Sequence, residues 1–395
     1  MLNQRRVLYL QPSELFGGAE RQVAAVLPHL QRQGVAVTAL VGPGHTIVDW
    51  LREAGVEDIV HSPSFPRDMS DARGVGQLAR AQEFVMQAGE VERQVEELIE
   101  DRRIDAVVGG MAFSWVSATR AARRKRIPVI WRVGGMELSG VERLILPLWA
   151  RRNPPDAVIC NSEGVRDMFA PLIPAAAYVV RNGVDTSLFS PTARPQRTPG
   201  APPVIGFAGR LVPQKRPEDF LAMAARIAVR HPAARFVIAG EGSRRPDYEK
   251  MAVELGVAPR VRFLGMVKDM TSFYASCDLL VLPSRSEGCP NIVLEAMAMR
   301  LPVVASDTIA TREVVTHLRD GFLFPVGNID KMCETVEEAL SAPDLRAAMA
   351  ARALRKVQGP LSAAASASAL AEIVEGVLLG TAPREVAAAG AAAAG

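Results

Sequence analysis

"LPSRSEGCPNIVLEAMAMRLPVVAS" (282–306) runs from the end of one apolar stretch, through a loop, into a second. The stretch from Asp278, apolar from Leu279 onward, stops at Pro283 and reads as a strand. Pro290 suits a first helical turn, because its ring fixes φ and its missing N–H has no intrahelical acceptor to lose. A helix is therefore expected over 290–300, and "LPVVAS" (301–306) reads as the next strand. Continuous apolar strands joined by a helix indicate a parallel sheet covered on both faces. Two acids stand in this stretch, Glu287 in the loop and Glu295 about one and a half turns into the helix. The neighbours of Glu295 are Ile292, Val293, Leu294, Ala296 and Met297, and an acid buried among them needs a partner or a ligand hydroxyl. Spacing alone leaves open a surface acid at 287, favoured by the helix dipole, and an exposed helix position at 295.

The same rhythm extends in both directions. Runs at 204–209, 235–240, 260–265 and 278–284 read as strands, with helical segments at 215–230 and 246–256. Upstream, strands are expected at 5–10, 35–42, 105–110, 127–133 and 156–162, and amphipathic helices at 19–33 and 76–102. Between the two series lies "SPTARPQRTPGAPPV" (190–204), with linker composition. A chain of 395 residues is long for one core, so two domains are expected. The expected division is 1–190, 200–360, a helix at 361–380 packing back toward the first domain, and an Ala-rich tail at 386–395. The fold class is α/β: two doubly wound, Rossmann-like domains facing a central cleft. Ligands in such sheets bind beyond the carboxyl ends of the strands.

Composition excludes several classes. Lys and Arg number 46 against 43 Asp and Glu, a net charge of +3, and aromatic residues make up 5 %, so no nucleic-acid partner is expected. A local cluster, Arg120, Arg123, Arg124, Lys125 and Arg126, reads either as a solvated helix end or as a docking patch for an anionic membrane or substrate. The four cysteines, at 160, 277, 289 and 333, show no metal-ligand spacing and suit reduced, mostly buried thiols in a cytoplasmic protein. Neither a signal peptide nor a membrane span is expected.

Three places could bind an anion. Gly17 and Gly18 precede a helix after the first strand, where backbone amides can approach a negative charge; the alternative is a tight βα turn. Gly209 ends a strand, and Arg210 and Lys215 flank the loop after it, a fork and a point charge suited to a diphosphate, or else a solvated loop. At the start of the helix at 290, the amides of Asn291 and Ile292 could hold a phosphate oxygen. No D-x-D, P-loop or G-x-S-x-G motif occurs, and "AGEGS" (239–243) is only a lone G-x-G.

Taken together these residues resemble the retaining glycosyltransferases of family 4, which have the GT-B fold. The signature E-G-x-P-N-x-x-x-E-A-M is present as Glu287 to Met297. "GRLVPQK" (209–215), "AGEGS" (239–243), "VRFLG" (261–265), "NGVDTSLFSP" (182–191) and "GGAE" (17–20) accompany it in the family's order. The resemblance implies a metal-independent enzyme without a cofactor, moving a sugar from a nucleotide sugar to a saccharide or lipid-linked acceptor in cell-surface polysaccharide assembly. Its place would be the cytoplasm, at the inner face of the membrane. Arg210 and Lys215 would hold the donor diphosphate, Glu287 the transferred sugar and Glu295 the ribose. Gly209, Gly288, Asn291 and Ile292 would add to the donor site, Gly17 and Gly18 would close over it, and the base would sit near Met266. Two departures stand out. Gly134 falls where many relatives carry a histidine, so that role is lost or taken over by Arg132 on the acceptor side. Thr308, Ile309 and Ala310 replace a usual glycine pair, and Arg300 stands where glycine is commoner, although Glu313 remains. A nucleotide-sugar epimerase of the same fold and an inactive nucleotide-sugar-binding partner subunit remain as alternatives.

Overall fold

The computed structural model describes residues 4–12, 17–42, 45–65, 76–135, 140–193 and 201–381. The Ala-rich tail at 386–395 and residues 194–200 of the proline-rich stretch lie outside that set. The chain forms two compact units, Met1–Gly183 with Ala363–Gly395, and Val184–Ser362. The first division thus falls ahead of the proline-rich stretch. Val184 and Ser362, where the chain enters and leaves the second unit, pair as an isolated parallel bridge.

The first unit carries strands β1 (Arg6–Gln11), β2 (Ala36–Val41), β3 (Ile59–His61), β4 (Ala106–Gly109), β5 (Val129–Val133), β6 (Ala157–Cys160) and β7 (Ala177–Val179). They form one parallel sheet in the order β3-β2-β1-β4-β5-β6-β7. Helices α1 (Gly18–Arg32), α2 (His45–Glu53), α3 (Gly76–Asp101), α4 (Ala112–Lys125), α5 (Gly140–Arg152) and α6 (Glu163–Phe169) connect them. Side chains alternate across a strand, so β1 sends Val7 and Tyr9 into one core layer and Leu8 and Leu10 into the other. The second layer is fixed by a stack of indoles. Trp131 of β5 lies 5.1 Å from Trp115 of α4 and 5.4 Å from Trp149 of α5, with all three rings near parallel.

The second unit repeats the architecture with β8 (Val204–Ala208), β9 (Arg235–Ala239), β10 (Val261–Gly265), β11 (Leu279–Leu282), β12 (Val303–Ser306) and β13 (Phe322–Phe324). Its parallel sheet runs β10-β9-β8-β11-β12-β13. Helices α7 (Pro217–Arg230), α8 (Arg245–Glu254), α9 (Met270–Ser276), α10 (Asn291–Ala298), α11 (Ile309–Val314), α12 (Ile329–Ser341) and α13 (Pro343–Gln358) cover it. Ile205 and Phe207 of β8 enter one layer, while Ala208 faces the other with Leu280 and Leu282 of β11. Helix α7 starts at Pro217, two residues later than the apolar pattern suggests, because Arg216 takes a left-handed conformation at φ 52° as its N-cap.

The last helix, α14 (Ala363–Leu379), belongs to the first unit. Ala367, Leu370, Ile373 and Val374 share a core layer with Val23, Val26, Leu27 and Leu30 of α1. Arg5 holds Glu375 through two hydrogen bonds of 2.8 Å, and Ser366 donates to the Arg181 carbonyl.

Candidate active site

In each sheet the order reverses once, between β1 and β4 and between β8 and β11. Loops leaving adjacent strands at such a point part to opposite faces and open a crevice. In the second unit these are the loops that carry Arg210 with Lys215 and Glu287. Lys215 Nζ lies 2.7 Å from both carboxylate oxygens of Glu287. Glu287 is 5 % exposed, and the ammonium keeps that charge compensated in a mostly dry setting. The loops are laced together as well. Arg285 N–H donates to the Gln214 carbonyl at 2.8 Å, and Gln214 Nε2 donates to the Ser286 carbonyl at 3.1 Å. Arg210 is exposed, and among the described residues its guanidinium makes no hydrogen bond or ion pair.

Behind the loop of Arg210, backbone bonds tie the carboxyl ends of three strands. Gly209 N–H donates to the Ala239 carbonyl at 2.9 Å, and Gly240 N–H to the Gly265 carbonyl at 2.8 Å. Gly209 at φ +149° and Gly240 at φ +150° adopt conformations that residues with a side chain rarely take. Met266 follows Gly265 directly and is 61 % exposed.

Helix α10 begins at Asn291, with Pro290 as N-cap. The amides of Val293 and Leu294 turn back to the Pro290 carbonyl, and that of Ile292 has no acceptor among the described residues. Gly288 and Asn291 are half-buried at this end, where the helix dipole favours an anion. Glu295 is buried at 3 % exposure, so the exposed alternative does not hold. Its Oε2 accepts a 2.7 Å hydrogen bond from the hydroxyl of Tyr274 on α9, itself wholly buried. Tyr274 packs edge-on against Phe189, so ring and hydroxyl are both fixed. No motif marked Tyr274; the available signal was a tyrosine preceding an apolar strand, whose polar tip needs a partner once the ring is buried. Tyr274→Phe is expected to weaken nucleoside diphosphate binding about tenfold to 150-fold, the range for losing a hydrogen bond to a charged group. If Glu295 reads a ribose hydroxyl, the loss should shrink for a deoxyribose analogue, as calorimetry of the two ligands would show.

The departures after β12 have a local explanation. Thr308 caps α11, accepting from the Thr311 amide at 3.1 Å, while Thr311 Oγ1 accepts from the Thr308 amide at 2.8 Å. Arg300 sits at φ 52°, which is why glycine suits that position.

The remaining sequence candidates belong to the first unit. Gly17 N–H donates to Glu20 Oε2 at 2.8 Å, and Glu20 Oε1 accepts from Gln11 Nε2 at 2.9 Å. The start of α1, with Gly18 as its first residue, thus already carries a carboxylate of its own, and an added anion has to share the Gly17 amide with it. Arg132 donates to the Tyr9 hydroxyl at 2.9 Å and to Asn182 Oδ1 at 3.2 Å, bracing β5 against β1. Gly134 is exposed; its carbonyl accepts from Asn161 Nδ2 at 2.9 Å, and the nearest atom to an added Cβ is 3.7 Å away, so the position has room for a side chain.

The basic cluster at the end of α4 is largely neutralised. Arg120 and Arg124 pair with Glu92, Arg124 also with Glu96, and Lys125 with Glu100, all on α3. Cys160, Cys277 and Cys289 are buried and Cys333 is half-buried, all as free thiols; burial pushes the Cys160 thiol up to about 12.

Residues 16–188 match the Glycosyltransferase Family 4 model, and residues 202–342 match the model described as Glycosyl transferases group 1. Each match covers less than half of the chain, and the two together make it a glycosyltransferase of the family 4 and group 1 kind. A GDP-mannose-dependent alpha-mannosyltransferase of Mycobacterium tuberculosis is 34 % identical to it over 175 residues, 43 % of this chain and 44 % of the relative. A Vi polysaccharide biosynthesis protein of Salmonella typhi is 32 % identical over 149 residues, 37 % of this chain and 26 % of the relative. Each match thus spans less than half of the relative's own length. The structure of Anabaena HepE in complex with UDP and glucose superposes with a TM-score of 0.76 at 20 % identity, covering 94 % of this chain and 99 % of that one. That likeness shows the GT-B fold for this family member. Among the described residues no helix is long and apolar enough to cross a membrane.

Proposed function

We propose that this chain transfers a sugar from a nucleoside-diphosphate sugar to a saccharide or lipid-linked acceptor, retaining the anomeric configuration and using no metal. The observation that carries the reading is the Lys215–Glu287 pair at the β8/β11 switch point, with Arg210 exposed on the same loop as Lys215 and the start of α10 next to Glu287 in sequence. Breaking the bond between the anomeric carbon and the diphosphate oxygen builds negative charge on the phosphate and positive charge on the sugar. Arg210, Lys215 and the first amides of α10 stabilise the phosphate charge as it grows. Glu287 accepts from sugar hydroxyls and, as an anion, favours the cationic carbon. The acceptor oxygen bonds to that carbon on the face the phosphate leaves, and its proton passes to the departing phosphate oxygen. Glu295, held by Tyr274, takes the ribose.

The Salmonella relative's role supports a place in surface-polysaccharide assembly, and the Mycobacterium and Anabaena names support a nucleotide-sugar donor. They differ in base, GDP against UDP. Calorimetric titration with UDP, GDP and ADP, each with and without EDTA, separates the possibilities. The expected result is selective binding of one diphosphate, unchanged by EDTA. Binding of none overturns the donor site, and binding abolished by EDTA overturns metal independence. A membrane-held acceptor would bring the chain to an anionic surface; with Arg120, Arg124 and Lys125 paired to α3 acids, Arg123 and Arg126 are the members of that cluster without an ion pair among the described residues.

A further inference from the structure

Among the described residues, helix α5 presents an exposed apolar face. Leu144 is 70 % exposed, Ile145 55 % and Leu148 52 %, while Ala150 is buried and Leu146 and Trp149 pack into the core. Exposed leucines are ordinary singly, but these three recur at i, i+1 and i+4 and so share one stripe of the helix. The stripe continues at i+7 and i+8 with Arg151 and Arg152, both exposed and without an ion pair among the described residues. Arg143 is exposed on the same helix. At the arginine end, Arg123 of α4 donates to the Pro154 carbonyl, which brings the end of α4 and its exposed C-cap Arg126 alongside. The helix is not a loose end, because Trp149 stacks on Trp131 behind it.

We propose that this face of α5 docks onto an anionic lipid bilayer. Leu144, Ile145 and Leu148 enter the headgroup–acyl boundary, and Arg151 and Arg152, with Arg126 beside them, meet lipid phosphates. Charge decides the occupant: a stripe of large aliphatic side chains leading into paired arginines matches an anionic headgroup layer, whereas a copy of the same surface would set arginines against arginines. The proposal deepens the reading of a membrane-held acceptor and is tested apart from donor chemistry.

The experiment is co-sedimentation of the full chain with vesicles of mixed phosphatidylglycerol and phosphatidylcholine, and with vesicles of phosphatidylcholine alone. The wild type is expected to sediment with the anionic vesicles and to be released by salt. The triple substitution Leu144→Ser, Ile145→Ser, Leu148→Ser should lower binding at least about tenfold, given the apolar area withdrawn. A second variant, Arg151→Gln with Arg152→Gln, should lower it about fivefold per arginine. Nucleoside diphosphate titration of both variants reports whether the fold is intact and fails separately if the donor-site reading is wrong. Wild type remaining in the supernatant, equal binding to neutral vesicles, or binding unchanged in the arginine variant overturns the proposal. So does a wild-type dimer that the triple substitution converts to monomer, since the face would then be covered by a second copy.

Discussion

Glu287→Ala is expected to lower sugar transfer, and hydrolysis of the donor without acceptor, by about 100- to 1000-fold, the scale for losing one preorganised electrostatic group. Binding of the nucleoside diphosphate should stay equal or become tighter. The asymmetry follows from the pair at 2.7 Å: removing the carboxylate releases Lys215 Nζ, whose charge then serves the diphosphate alone. Lys215 is partly exposed and can turn its ammonium to water, so the fold is expected to persist. Lys215→Ala should do the reverse, weakening diphosphate binding and leaving the buried Glu287 uncompensated. Turnover and calorimetry of the two variants side by side decide the matter. If Glu287→Ala turned over normally, Glu287 would have no part in the reaction.

Gly240→Ala is expected to destabilise the second unit by about 3–5 kcal/mol, summing backbone strain and overpacking. The reason is steric. An ideal Cβ at Gly240 would stand 1.8 Å from the Gly209 carbonyl oxygen, and the residue is held at φ +150°. Neither strand can retreat cheaply, because Gly209 N–H is bonded to Ala239 and Gly240 N–H to Gly265. The displacement would pass to Arg210 and Lys215, so diphosphate affinity should fall together with the denaturant midpoint. Gly256→Ala is a control: it too has a positive φ, +67°, but nothing lies within 4 Å of an added Cβ there. Unfolding curves in urea separate the two. A Gly240→Ala midpoint no lower than that of the control would show that the close approach is tolerated.

Much of the second unit was legible because its strands are mostly apolar runs. β8 to β12 and α10 fall within two residues of the positions expected from sequence, since Pro283, Pro290 and Pro302 punctuate them. No helix or strand was expected from 307 to 360, yet the stretch holds α11, β13, α12 and α13. A three-residue strand such as Phe322–Phe324 offers no alternation to detect, and α12 and α13 follow one another with only Ala342 between them. In the first unit β3 and β7 escaped for the same reason of length. The site divides similarly. Motifs identified Lys215 and Glu287, but not that they touch, because their separation in sequence says nothing until the order β9-β8-β11 makes their strands neighbours. Tyr274 offered only a phenol in need of a partner; that the partner is Glu295 depends on the hydrogen bond between α9 and α10. The pairing of the α4 cations was hidden for a related reason: the acids that hold Arg120, Arg124 and Lys125 come from α3, far from them in sequence.

The return of α14 to the first sheet has a consequence for how the polypeptide is made. Residues 184–362 are contiguous, so the ribosome delivers every part of the second unit before it delivers the helix that covers α1. The first unit to begin synthesis is the last to be complete in sequence. A stop before Ala363 would leave the second unit whole and strip Ala367, Leu370, Ile373 and Val374 from the core of the first. Damage at the carboxyl end is thus felt in the amino-terminal half.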